Sequence, residues 1–121
     1  MTLWRLLTFL AALFLAAGVT LAAQGAHAGS STLATASQFL MLQGAALLGA
    51  LAAVATGHAA PRLGRYALLA VAAGAILFAG DLAVRGFGLL PRLFPLAAPI
   101  GGVAMIAGWA LFALAALFRR G

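Results

Sequence analysis

Asp81 is the only acid in the chain, and Arg85 follows it four residues later. On a helix this spacing puts both side chains on one face, within reach of each other. Two chemistries fit. An ionised carboxylate inside an apolar segment can carry a proton or a cation, because such acids face a bundle interior or a water-filled path. Paired with Arg85, whose longer side chain reaches toward the surface, Asp81 is instead half of a structural ion pair. The adjacent base, and the lack of a second acid for a relay, favour the pair. The chain also carries two histidines, His27 and His58. A lone histidine between apolar runs reads as solvated or hydrogen-bonded before it reads as a ligand.

Catalysis by a nucleophile needs an activated group, a base and an orienting partner held together, and metal sites need three or four ligands. The inventory is too small for either, so the chain is expected to be no enzyme and to hold no metal or other cofactor. Haem or quinone binding would rest on one histidine and nearby aromatics alone. With no cysteine, disulfides and thiol chemistry are excluded.

The elements that must position Asp81 follow from composition. Hydrophobic residues make up 66% of the chain and charged residues 7%, against about a quarter charged in soluble domains. This is the composition of a membrane protein. The net charge of +6 could point to nucleic acid if the arginines formed a patch. They stand instead at the ends of apolar runs, where arginines anchor and orient membrane helices, so no nucleic-acid partner is expected.

Crossing the hydrocarbon core takes about 20 apolar residues. Four runs qualify, over 3–23, 33–56, 66–84 and 97–117, separated by the glycine-, serine- and proline-rich stretches QGAHAGSST, GHAAPRLGR and RGFGLLPRLFP. Short connections make consecutive helices antiparallel, so the expected fold is an all-α, single-domain, antiparallel bundle of four transmembrane helices. Arg5, Arg62, Arg65, Arg119 and Arg120 fall on one face, and Arg85 and Arg92 on the other. The excess of arginine on the first face puts both termini in the cytoplasm, His27 outside and His58 inside. The stretch Ala26-His27-Ala28 has the form of a signal-peptidase site. However, the apolar run Leu6 to Ala23 before it exceeds the about 7 to 15 residues of a signal peptide. A retained first helix is expected.

Helices in lipid associate by close backbone approach, so small residues at four-residue spacing mark contact faces. Ala45, Gly49, Ala53 and Gly57 form one such ladder, Ala12, Ala16 and Thr20 another, and Ala104 with Gly108 a third. Gly101 and Gly102 open the last span after Pro99, where close packing favours glycine. Trp109 lies deep in that span, and its indole N–H needs an acceptor.

The stretch PIGGVAMIAGWALFA, Pro99 to Ala113, resembles the last span of the domain-of-unknown-function 423 family, small multi-pass bacterial inner-membrane proteins whose relatives include transmembrane protein 256. GAHA, Gly25 to Ala28, and ILFAGDL, Ile76 to Leu82, resemble further segments of that family in the same order. The resemblance implies an integral membrane protein of the cell inner membrane without an established activity. Where the family commonly has serine, this chain has Asp81, so the acid carries no family role. Where its second span often carries a tyrosine-histidine pair, this chain has Leu42 and Gln43, which leaves Gln43 as a polar position of interest.

The expected function is that of a non-catalytic protein acting through helix contacts, as a homo-oligomer or as an accessory subunit of a membrane complex. Its partners would be the bilayer and a second membrane protein or copy, with no small-molecule substrate. A small proton-coupled transporter using Asp81 is the alternative.

Overall fold

Thr2 starts the first helix by accepting the Arg5 N–H on its hydroxyl at 3.2 Å, satisfying one of the free donors of a helix beginning. From there a computed structural model, which describes residues 2–118, runs through α1 (Leu3–Ala28), α2 (Ser31–Ala55), α3 (Pro61–Gly86) and α4 (Ala97–Leu117). All four are long and apolar enough to cross a membrane. The chain is an all-α, multi-pass membrane protein.

The connections correct the expected ones. QGAHAGSST has the composition of a loop, yet only Gly29 and Ser30 lie outside helix. Gly29 takes the left-handed conformation (φ 67°) that closes α1 without a side-chain penalty, and the Ser30 hydroxyl then caps α2 by accepting the Leu33 N–H at 3.2 Å. His27 therefore lies in the last turn of α1. Similarly, α3 starts at Pro61, whose missing N–H costs nothing in a first turn, so Arg62 and Arg65 are helical. Arg119 and Arg120 lie outside the described residues.

Leu33 at the start of α2 packs on Gly86 at the end of α3, while the Ala60 N–H before α3 donates to the Ala115 carbonyl near the end of α4 at 2.8 Å. The helices thus run up-down-up-down. α1, α2 and α3 pack as a triangle, and α4 lies against α3. Among the described residues the α4 backbone approaches neither α1 nor α2.

Buried residues set the faces. On α1 they are Leu7, Ala11, Phe14, Gly18, Leu21 and Gly25, spaced alternately four and three; on α2, Leu33, Ser37, Leu40, Gly44 and Leu47 repeat that spacing. This is the period of helices crossing at a shallow angle with interlocking side chains. A methyl group on Gly44 would stand 2.8 Å from the Ala11 carbonyl oxygen. On the other pair, one on Gly101 would stand 2.6 Å from the Gly74 carbonyl oxygen, and one on Gly108 would stand 2.8 Å from that of Ala67. Only glycine permits such backbone approach.

Gly101, Gly108 and Ala104 therefore meet α3 as their spacing predicts. Gly49, Gly57 and Gly102 do not: among the described residues, nothing comes within 4 Å of where their side chains would be. Gly49 and Ala45 are exposed, Ala53 is half-buried, and the Ala12, Ala16 and Thr20 ladder is exposed as well. The physical reason is that alanine-rich helices carry several small-residue stripes, and the large side chains beside them select which stripe faces a neighbour. Gly57 has instead a positive φ of 83° and serves the turn after α2.

Candidate functional site

Asp81 sits near the end of α3 on the side facing α4 and the 87–96 connection. Its side chain is 4% exposed and that of Arg85 is 41% exposed, and the guanidinium meets one carboxylate oxygen at 2.9 Å. The other oxygen accepts the backbone N–H of Leu93 at 2.8 Å. Both oxygens are thus engaged, and among the described residues no buried side-chain polar atom lacks a partner. Burying a carboxylate this completely is costly unless charge and hydrogen bonds compensate it, and here both do.

The contact with Leu93 explains what the acid does for the fold. Helix α3 ends at Gly86, and ten residues, 87–96, follow without regular structure before α4 begins. A segment without helical hydrogen bonds has free amide groups that must find partners when they are shielded from water. Asp81 supplies one from the helix below, and Leu89 and Leu90 donate back to the Val84 carbonyl at 3.0 and 3.3 Å. The connection is drawn down onto the bundle. At its far end Leu96 adopts a left-handed conformation (φ 68°), which an L side chain rarely takes, just before α4 starts without a side-chain cap.

Beside the pair lies a cavity of about 220 Å³ lined by Asp81, Arg85, Arg92, Phe94 and the first turn of α4. Its charged groups are one acid and two arginines.

Gln43 and Trp109, a position of interest and an indole in need of an acceptor, come together. The Trp109 Nε1–H donates to Gln43 Oε1 at 2.8 Å, tying α4 to α2 where their backbones do not approach. Phe112 meets the indole edge to face at 6.0 Å. The histidines are not brought together. His27 is exposed at the end of α1, and His58 is exposed at the opposite end of the bundle, its Nδ1 2.8 Å from the Thr56 hydroxyl. Among the described residues, no three of the side chains that commonly bind metals cluster.

Two further polar residues, Ser37 and Gln38, differ sharply in their surroundings. The Ser37 hydroxyl, buried, donates to the Gly18 carbonyl at 2.7 Å and locks α2 to α1. Its place in the four-three spacing of buried residues was the signal available. Gln38, the next residue, is exposed on the outer side of α2 and makes no hydrogen bond among the described residues. Serine and glutamine near a helix start look ordinary in sequence, and only the packing separates their roles.

Comparison with known families gives a match. The family described as "Protein of unknown function (DUF423)" matches residues 21–102, about two thirds of the chain. The matched stretch holds Gly25 to Ala28 and Ile76 to Leu82 whole. It stops at Gly102, so most of the last-span stretch, which resembled the family most specifically, lies beyond it. No curated protein and no solved structure matches the chain.

Proposed function

The chain belongs to the DUF423 family, and from that premise we propose that it works without chemistry of its own, as an inner-membrane protein that associates with a second copy through the outer face of α2. The supporting observation is Gln38. It stands seven residues into a 25-residue helix, about 10 Å along the axis from the Ser31 end, on a face that no other helix covers. An amide turned toward hydrocarbon with no partner is unfavourable, and a second amide satisfies it. Two copies in one membrane share orientation and depth, so a twofold axis along the membrane normal brings Gln38 to Gln38. Each amide carries both donor and acceptor, so the pair satisfies itself. Below it on the same face Ala45 and Gly49, exposed among the described residues, let the two α2 backbones approach.

The absence of cysteine makes the test direct. Ala45→Cys and Gly49→Cys are introduced singly with Gln38 intact and oxidised in native membranes, with Ile106→Cys on the lipid side of α4 as the contrast. Disulfide-linked pairs are expected at the two α2 positions and not at residue 106. A chain that never links from α2 and is recovered from mild detergent and nanodiscs only as a monomer would defeat the proposal. Recovery of a different membrane protein linked to α2 would replace self-association with an accessory role.

The transporter reading assigns Asp81 a titrating role. Its two engaged oxygens support the structural role instead, and Asp81→Asn with unchanged proton flux in proteoliposomes would remove the transporter. The cytoplasmic placement of the termini rests on Arg5, Arg62 and Arg65 at their end of the bundle. Reporter fusions at Gly29 and after Gly121 test it by their opposite activities.

A further inference from the structure

The 87–96 connection combines two properties that rarely occur together in a loop. Phe87, Leu89, Leu90, Leu93, Phe94 and Leu96 are all exposed, Leu89 to 71%. Among them stand Arg92 and, one turn back on α3, Arg85. A water-facing loop has no reason to display six large apolar side chains. A segment lying at the boundary between acyl chains and headgroups does, and it lowers its free energy further where cations meet lipid phosphates. The cavity of about 220 Å³ at Arg85 and Arg92 would then open into the headgroup layer.

We propose that this cavity seats the phosphodiester of an anionic phospholipid in the leaflet that faces the 87–96 connection. Asp81 meets the Arg85 guanidinium at one nitrogen, and the Arg85 side chain remains 41% exposed. Arg92 forms no ion pair among the described residues, where Arg85–Asp81 is the one present. Two guanidiniums and one carboxylate leave a single net positive charge, which matches the single negative charge of a phosphodiester. The apolar side chains around it would lie along the glycerol and upper acyl segments. Asp81 acts here as a positioning residue: it fixes Arg85 and, through the Leu93 N–H, holds Arg92 one residue away on the same short segment. This seat does not depend on self-association through α2, since it is formed within one chain.

The test uses the full chain released from detergent for native mass spectrometry, with phosphatidylglycerol and phosphatidylcholine of matched chain length added in turn, and inorganic phosphate as the free anion. The bound lipid is read on the monomer and on any dimer separately. Wild type is expected to retain phosphatidylglycerol over phosphatidylcholine. Arg92→Gln is expected to lower phosphatidylglycerol retention about fivefold while leaving phosphatidylcholine unchanged, the change set by one arginine at a membrane surface. Arg92→Lys, which keeps the charge, should retain most of the binding, and Arg62→Gln at the opposite end should retain all of it. Retained helical circular dichroism shows that each variant is folded. Should Arg92→Gln fail that check, the same comparison is made with Arg92→Lys at rising salt, where wild type and variant must both lose phosphatidylglycerol before phosphatidylcholine. Equal retention of the two lipids by wild type, or an Arg92→Gln chain that binds like wild type, overturns the proposal. So does competition by millimolar inorganic phosphate that abolishes lipid retention, which would make the ligand a soluble anion.

Discussion

The two helical hairpins of this chain solve the same problem differently. α1 and α2 are joined by Gly29 and Ser30 alone, and both residues complete helix ends, so the turn leaves little backbone to satisfy. α3 and α4 are joined by ten residues, whose free amides call for acceptors; the Val84 carbonyl serves Leu89 and Leu90, and Leu93 needs another. Asp81 provides it, and Arg85 makes its charge tolerable there. The packing differs as well. Glycine meets an alanine carbonyl in both hairpins, Gly44 at Ala11 and Gly108 at Ala67, but between α3 and α4 glycine also faces glycine, Gly74 against Gly101. A short turn leaves the first hairpin to side-chain packing and one serine hydrogen bond. A long connection requires the second to bury a charge.

The contrast breaks most severely at the glycine contact. Gly101→Ile forces α4 away from the Gly74 carbonyl and is expected to cost about 3 kcal/mol or more in detergent unfolding, while Gly102→Ile, one residue along with open space beside it, stays within about 0.5 kcal/mol of wild type. Equal effects would mean that α3 and α4 do not meet through this face. Next comes the acid. Asp81→Ala strands the Leu93 N–H and frees Arg85, at an expected cost of about 1–3 kcal/mol, and it should speed trypsin cleavage after Arg92 in sealed vesicles that display that side outward. Asp81→Asn keeps an acceptor for Leu93 and should fall between that variant and wild type. If the two variants behaved alike, the carboxylate would not be what holds the connection.

Two smaller effects sharpen the comparison. A double-mutant cycle of Gln43→Leu with Trp109→Phe should give a coupling of about 0.6 kcal/mol, the usual worth of a hydrogen bond between membrane helices. Ser37→Ala should lose a similar amount, confined to the first hairpin and visible as faster amide exchange at its end without change near Asp81. An equal exchange response in both hairpins would show that they unfold as one unit.

Much of the fold was legible because lipid imposes it. Lengths of apolar sequence, glycine and proline at their ends and the i,i+4 placement of Asp81 and Arg85 carried over into helices and a real ion pair. The ladders were less informative. Ala104 and Gly108 pack as their spacing predicts, but Ala45 and Gly49 look the same in sequence and stand free. In a soluble helix the buried stripe is betrayed by polar residues opposite it. Here every face is apolar, so that contrast is missing. The partner of Gln43 lay 66 residues away on a helix whose backbone does not approach its own, beyond any local pattern.

By itself, then, the sequence determined that the chain lives in a bilayer, how many times it crosses and that its one acid stands a helical turn from a base. Those are consequences of solvent and of helix period, and both act locally. Only the tertiary structure decided which glycines touch, that Asp81 reaches forward to Leu93 to hold the 87–96 connection, and that Gln38 is left facing outward while Ser37 beside it is sealed inside. These depend on which stripe of each helix its neighbours select. Packing of large against small side chains makes that choice across the whole bundle at once.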